Sequence, residues 1–537
     1  MFLVIFRGMA EASRVIVERL LDLERLSRVD VERVKLEVCR ELGLARIPSN
    51  SELISVLKPG EERLLPVLRR KRVRTISGVT IIAVMTKPHP CPKDTPCIYC
   101  PGGPARGSPQ SYTGREPAAL RGAQHGYDPY KQVSSRVAQL RAIGHRVDKV
   151  ELIILGGTYT ALPLDYRVWF MKRCLDALNG IEASDFEEAK RLAEDAPIRV
   201  SGVTVETRPD WCMEKHVDEM LWLGVTRVEL GVQTVYEDVY RLIGRGHGLK
   251  EVVEATRIAR DAGLKITYHL MPCLPGSDPS RDLEMFRTVF RDPDLRPDAL
   301  KIYPCLVIEG TRLHEMWVKG LYKPYPEEEV IRVIAEALKE LPRYVRVQRV
   351  QRDIPAPLIV DGVKHSNLRE LVEEYLRSEG AACRCIRCRE AGHVYLKHGV
   401  QPDLENIKLL RMDYDAGGGR EIFLSFEDVE KDILVALLRL RIPSEKAHRP
   451  EVQNAGIVRE LHVYGPMVPV GSNGEGAWQH RGYGARLLEE AERITFEEFG
   501  RRKLVVISGL GVKPYYRRLG YRDDGPYVSK PLVSNVF

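Results

Sequence analysis

A chain of 537 residues with 44% hydrophobic and 29% charged residues has the balance of a soluble globular protein, and it is too long for one hydrophobic core. Its net charge of +7 is modest for that length, so the clustering of basic residues says more than the total. The longest apolar run near the start, Met1 to Phe6, falls far short of a membrane span and has no small-residue cleavage site, so the expected setting is cytoplasmic, with no membrane partner.

In chain order, Glu11 to about Leu65 reads as charged helices, with "VIVERLLDLERL" the clearest amphipathic stretch. A basic block follows (Arg69, Arg70, Lys71, Arg72, Arg74), and "GVTIIAVMT" from Gly78 predicts a buried strand running straight into the first cysteines. Beyond them strands and helices alternate. Strands are predicted at "KVELIILGG", "IRVSGVTVET", "TRVELGVQT", "KITYHLMP" and "DALKIYP", and helices at Tyr166–Leu178, Met213–Leu223, Lys250–Ala262, Ser280–Phe290 and Pro326–Glu340. That spacing means βα units and a parallel sheet long enough to curl into a partial barrel, with chemistry at the C-terminal ends of its strands. After "CRCIRC" the composition shifts to alternating strands such as "DILVALLRLRI", then "IVRELHVYG", a glycine-rich turn, a long helix and "KLVVISGLG", a separate α+β unit. The divisions expected are residues 1–75, basic and helical; 76–360, the barrel; 361–400, a linker; and 401–537, the α+β unit. Arg343, Arg346, Arg349 and Arg352 recur every third residue in "PRYVRVQRVQRD"; such runs suit a polyanion such as RNA or form a solvated face.

Six of the eleven cysteines lie in two tight clusters, which in a reducing compartment points to metal rather than disulfides. Cys91, Cys97 and Cys100, just after a strand, offer three thiolates and no fourth, the set for a cubane iron–sulfur cluster with one iron open to a small molecule. The bland alternative is a zinc knuckle completed by His89 or His125. Downstream strand ends carry Gly156, Gly157 and Thr158, then Glu206 and Arg208, then Gln233. Together with the thiols these resemble the S-adenosylmethionine pocket of radical SAM enzymes. The second cluster, Cys383, Cys385 and Cys388, suits a structural zinc site, with His365 the preferred fourth ligand and His393 behind it. In "WQHRGYGARLLEEAE", Gln479, Gly482 and Gly484 open a helix whose N-terminus would cradle a pyrophosphate. Strand, phosphate loop, helix, strand and "KPYYRRLGY" follow the order of the acetyl-CoA core of GNAT acetyltransferases, with Tyr515 and Tyr516 candidates to hold the thioester or protonate a thiol.

"TKPHPCP", "CIYCPGGP", "DKVELIILGGT", "VQRDIP", "CRCIRCRE", "ELHVYG", "QHRGYG" and "DGPYVSK", in that order, resemble the catalytic subunit of Elongator over nearly the whole chain. The resemblance implies a multidomain α/β protein of the stand-alone archaeal or prokaryotic type. In it a partial (β/α) barrel radical SAM domain is joined through a zinc-binding segment to a GNAT-type acetyltransferase domain. It implies a tRNA carboxymethyluridine synthase, which would use S-adenosylmethionine and acetyl-CoA to place a carboxymethyl group on carbon 5 of the wobble uridine. Cys91, Cys97 and Cys100 would hold a 4Fe–4S cluster fed by an electron donor. Lys149 would contact acetyl-CoA from the barrel side. Glu460, Leu461, His462 and Val463 would line its strand, Trp478, Gln479 and His480 the loop entry, and Gly482, Tyr483 and Gly484 the helix start. The basic block and the "VQRVQRD" strand would grip tRNA phosphates. A homodimer is left open. The rivals are a protein lysine acetyltransferase with Glu460 as base, its iron–sulfur domain structural, and an RNA-binding scaffold without catalysis.

Overall fold

The computed structural model describes residues 2–70, 76, 78–464 and 482–533, with side chains from residue 9 onward. The first unit is helical. Helices Phe2–Leu21, Arg28–Glu41 and Asn50–Ser55 close a small core of their own around Ile16, Val17, Val34, Val38, Leu53 and Leu68. Ser27 with Asp30, and Ser49 with Glu52, form capping boxes that satisfy the orphan N–H groups of the second and third helices. No helix among the described residues is long and apolar enough to cross a membrane.

Sixteen strands follow among the described residues, numbered here in chain order. The barrel strands are β1 (Thr80–Met85), β2 (Lys149–Leu155), β3 (Arg199–Thr207), β4 (Arg227–Gln233), β5 (Lys265–Leu270), β6 (Ala299–Ile302) and β8 (Arg346–Val350); β7 (Val307–Ile308) and β9 (Ile359–Asp361) pair separately. The seven lie in the order β1-β2-β3-β4-β5-β6-β8, all pairs parallel, an open half-barrel. Its outer helices are amphipathic; Leu249–Asp261 buries Val252, Ala255, Ile258 and Ala259 along one stripe. Asp128 and Asp278 cap two others, each followed by a proline suited to the first helical turn.

The C-terminal unit is a second seven-stranded sheet: β10 (Ile407–Ala416), β11 (Gly419–Asp428), β12 (Ile433–Ile442), β13 (Ala455–Val463), β14 (Lys503–Val506), β15 (Arg522–Asp524) and β16 (Tyr527–Pro531). Its order is β10-β11-β12-β13-β14-β16-β15, antiparallel except for the parallel β13–β14 pair. That pair runs only from Ala455 opposite Lys503 to Val458 opposite Val506, so the β14 side of β13 has no strand partner from Arg459 to Val463.

This sheet docks on the N-terminal ends of the barrel strands, and one hydrophobic core runs through both. Fully buried arginines tie the seam. Arg459 donates to both Asp298 oxygens at 2.6 and 2.8 Å and to the Leu264 carbonyl, Arg441 to Asp261 at 2.6 Å, and Tyr527 Oη to the Ala262 carbonyl. The arginine run predicted to face RNA is partly spent here. Arg343 donates to Glu427 and Asp432 at 2.5 Å each and Arg346 to Glu390 at 2.6 Å, because both lie where the barrel meets the second cysteine segment and the C-terminal sheet. Of the basic block, Arg69 donates to the Gly144 carbonyl; Lys71, Arg72 and Arg74 lie outside the described residues.

Candidate functional site

The first cysteine loop leaves β1 at the C-terminal end of the barrel. Cys100 N–H closes a turn on the Cys97 carbonyl, while Ile98 N–H donates to the Ile243 carbonyl and its own carbonyl accepts from Leu313 N–H, fixing the CxxC between the end of helix Glu237–Leu242 and helix Arg312–Val318. Lys93 Nζ lies 3.4 Å and Arg245 Nη1 3.7 Å from Cys97 Sγ, and Gln110 Nε2 lies 2.8 Å from Cys100 Sγ. Burial alone would push the Cys97 thiol up, but Arg245 and Lys93 outweigh it and hold it below the usual thiol range; burial and the neighbouring Cys97 push Cys100 up. Cations and N–H donors around thiols are what thiolates sharing an iron–sulfur cluster need. Among the described residues the groups whose ligand atoms all lie within 4.8 Å of one another do not include Cys91, Cys97 and Cys100, nor these thiols with His89 or His125, so ligand spacing favours neither the iron–sulfur cluster nor the zinc knuckle.

The other strand ends converge on the same side. Gly156 and Gly157 have φ of 138° and 98°, and their missing Cβ atoms leave room for Thr86 and Gln110. The glycines therefore serve close packing of the cysteine loop on β2, with Thr158 following half-buried. Glu206 accepts from Tyr112 Oη at 2.8 and 3.0 Å. Gln233 ends β4 with φ of 74°, a left-handed conformation costly for a residue with a side chain, and Cys273 and Gln351 repeat it near the ends of β5 and β8.

Sequence reasoning missed the inside of the barrel. Parallel strands covered on both faces are normally apolar, yet here Glu229 Oε2 accepts from Lys301 Nζ and lies 2.8 Å from His269 Nε2. Burial opposes charge on Glu229, but Lys301 and His269 hold its carboxyl down at about 2. Closer to the C-terminal sheet, Glu151 accepts from Thr204 and Arg227 at 2.9 Å each. Arg227 in turn reaches Glu460 of β13 at 3.8 Å, beside a small cavity lined by Arg227, Lys265, Thr267, Asp298, Glu460 and Tyr464. Polar groups thus run from the cysteine loop through the barrel to the C-terminal unit. The available signal was charge at alternate positions of otherwise apolar strands, as in "RVELGVQ" and "KITYHL".

In the second cluster the Cys383, Cys385 and Cys388 sulfurs lie within 4.8 Å of one another, with Arg369 Nη2 3.4 Å from Cys388 Sγ. The expected fourth ligand is corrected. His365 has a side chain 64% exposed and binds Glu327 at 2.6 Å, because its loop runs on the outer surface, and His393 contacts Glu390 at 3.1 Å.

On the C-terminal unit, Leu461, His462 and Val463 occupy the stretch of β13 that β14 does not cover. Glu460 is bound by Arg439 at 2.8 Å; burial opposes its charge, but Lys265, Arg439 and Arg227 hold its carboxyl well below the usual carboxylate range. Gly482 (φ 76°) precedes helix Tyr483–Arg493, and a Cβ on Gly484 would stand 3.0 Å from Tyr515 Oη and 3.7 Å from Val463. Tyr515 is therefore at the open edge. Its partner candidates are corrected: Tyr516 is 5% exposed and packs on Tyr521, and Tyr483 is buried against Phe426, both as core residues. Lys149 is exposed at the N-terminal start of β2, beside Arg199, on which Gly511 of the C-terminal unit packs. Trp478, Gln479 and His480 lie outside the described residues.

Comparison with known proteins agrees with this layout. Residues 9–76 match the family model of the ELP3 N-terminal domain, 89–289 the Radical SAM superfamily and 297–378 the Radical SAM C-terminal domain. The chain is 51% identical to the tRNA uridine(34) acetyltransferase of Methanocaldococcus jannaschii, over 97% of this chain and 98% of that protein. It is 46% identical to Elongator complex protein 3 of Schizosaccharomyces pombe, over 97% of this chain and 98% of that protein. A solved archaeal Elp3 from Methanocaldococcus infernus, lacking residues 1–46, superposes with a TM-score of 0.76 at 50% identity, covering 85% of this chain and 100% of that one. Identity at this level over nearly the full length of these relatives shows that the chain belongs to the Elongator complex protein 3 family.

Proposed function

We propose that the protein is a tRNA carboxymethyluridine synthase that joins a carbon unit from acetyl-CoA to carbon 5 of the wobble uridine of tRNA. The observation that carries this reading is the polar lumen linking the thiol loop at one end of the barrel to the open β13 edge at the other. Names of the relatives supply the substrate class: tRNA uridine(34) in the archaeal proteins. Cys91, Cys97 and Cys100 would hold a 4Fe–4S cluster, for which the cation and amide contacts at Cys97 and Cys100 are suited. Such a cluster supplies the electron that cleaves S-adenosylmethionine and so starts hydrogen abstraction. Glu206 and Gln233 are the polar strand-end groups available to S-adenosylmethionine. The free edge of Leu461–Val463 and the helix N-terminus after Gly482 suit the pantetheine amides and pyrophosphate of acetyl-CoA, with Tyr515 at the thioester. Cys383, Cys385 and Cys388 would hold zinc: Cys385 and Cys388 sulfurs stand 3.8 Å apart. Tetrahedral Zn–S bonds of about 2.3 Å require a spacing of about 3.8 Å.

The lysine-acetyltransferase rival needs Glu460 as a base. Three cations around that carboxylate make it a poor proton acceptor, which weighs against the rival. Anaerobic protein given S-adenosylmethionine, acetyl-CoA, a reductant and tRNA should form 5-carboxymethyluridine at position 34, and Cys97→Ala should abolish it. Retained modification in Cys97→Ala, or acetylated peptide without modified tRNA, contradicts the reading.

A further inference from the structure

Among the described residues every buried arginine but one has a carboxylate within 3.5 Å. The exception is Arg245, 8% exposed, beside the cysteine loop. Its guanidinium donates to the Gly231 carbonyl and, at 3.0 Å, to His247 Nε2. Neither partner is anionic; burial and the guanidinium itself hold the His247 ring neutral, its pKa down at about 2. The remaining nitrogen, Nη1, stands 3.7 Å from Cys97 Sγ. Lys93 repeats the arrangement. Its Nζ donates to the Gly244 carbonyl, lies 3.4 Å from the same sulfur and has no carboxylate partner among the described residues.

A buried cation left without a counter-charge is strongly destabilising, so this pair points to an anion at Cys97. The guanidinium is also fixed independently of the sulfur. Arg245 N–H bonds to the Tyr240 carbonyl, and the Arg245 carbonyl accepts from Arg208 Nη1 at 2.9 Å. Cys100, by contrast, faces the neutral amide of Gln110 at 2.8 Å. Positive charge is therefore concentrated on one of the three thiols.

That asymmetry has a redox consequence. With three thiolate ligands a 4Fe–4S cluster is already anionic when oxidised, and an incoming electron adds further negative charge. Fixed cations beside a ligand sulfur favour the reduced form more than the oxidised one and so raise the reduction potential. Buried charges are screened little by salt, so the effect persists at high ionic strength.

We propose that Arg245, assisted by Lys93, sets the reduction potential of the cluster through Cys97, easing the one-electron reduction that precedes S-adenosylmethionine cleavage. One electron passes from an external low-potential carrier, which is oxidised, to the cluster, which is reduced; no bond at the cysteine sulfurs is made or broken. The inference rests on the cluster reading above and adds which residues fix its redox poise.

The test is a redox titration of the anaerobically reconstituted full chain, with the reduced cluster read by electron paramagnetic resonance and scaled to bound iron. Wild type, Arg245→Met, Arg245→Lys and Lys93→Met are compared. Arg245→Met should lower the equilibrium constant for reduction about tenfold, a fall of about 59 mV for one electron. Arg245→Lys keeps the charge and should recover most of that fall, and Lys93→Met should lower the potential in the same direction. A merely structural role changes iron content or thermal stability without moving the potential of the clusters that are bound. If Arg245→Met holds no iron, Lys93→Met decides, because Lys93 is only half-buried on the loop. Loaded variants with the wild-type potential, or Arg245→Lys as low as Arg245→Met, overturn this inference alone. Wild type that holds no cluster overturns it together with the reading on which it rests.

Discussion

Two tyrosines adjacent in sequence pack edge to face with ring centres 5.2 Å apart, yet have different surroundings. Tyr515 has its hydroxyl at Gly484 and the end of β13, whereas Tyr516 is buried against Tyr521. If Tyr515 positions the thioester or protonates the departing thiol, Tyr515→Phe should lower tRNA modification by about 100-fold, the size of a general-acid contribution, with the fold intact by circular dichroism. Tyr516→Phe should leave the rate close to wild type. Equal losses from both would show that the pair is structural. The same sorting applies at Glu460. Its spacing in "RELHV" suggests a base, but the surrounding Arg439, Arg227 and Lys265 make it an ion-pair partner.

At the scale of elements, one irregularity couples the two sheets. The β12–β13 register shifts between Arg439 and Leu440, whose partners are Glu460 and Val458, leaving Arg459 in a bulge. A bulge re-aims a side chain, and here consecutive Arg459 and Glu460 both engage the barrel, at Asp298 and Arg227. Removing one partner of a buried pair costs about 3–5 kcal/mol, so Arg459→Met should lower the melting temperature sharply. The acid limb of stability should change too. Burial opposes charge on Asp298 and Glu460, but the surrounding cations hold both carboxyls well below their usual range. Their contribution is then fully present above the unfolded values of about 4 and drains away as pH falls toward the folded ones. Wild type should lose melting temperature between about pH 5 and 3 more steeply than Arg459→Met, since the variant has less depression to lose. Parallel pH curves would contradict the clamp. The strands themselves were legible from alternation, and the helix Leu249–Asp261 lies within one residue of its expected ends. The bulge was not, because register depends on a partner strand distant in sequence. For the same reason His365 looked like a ligand until its loop was seen to run outward to Glu327, and the arginines of "PRYVRVQRV" looked free until Glu427, Asp432 and Glu390 met them.

Over the whole molecule, the half-barrel encloses a line of buried charged side chains within its packed core. The cysteine loop closes one end. The open edge of β13 stands at the other, and Glu229, Lys301, His269, Glu151 and Arg227 make the interior polar between them. Both ends were visible as motifs, since clustered thiols and a glycine-rich loop are local in sequence. The connection was not, because it is made of single charged residues scattered over β2 to β6. The arrangement implies that the acetyl methyl carbon itself becomes bonded to the base. The most direct measurement is mass spectrometry of uridine 34 after turnover with acetyl-CoA deuterated throughout its acetyl methyl. The account predicts a carboxymethyl group that has lost one deuterium and kept the other two, with the lost one recovered in 5′-deoxyadenosine. A product that keeps all three, as an intact acetyl group on tRNA or on a lysine, would contradict it.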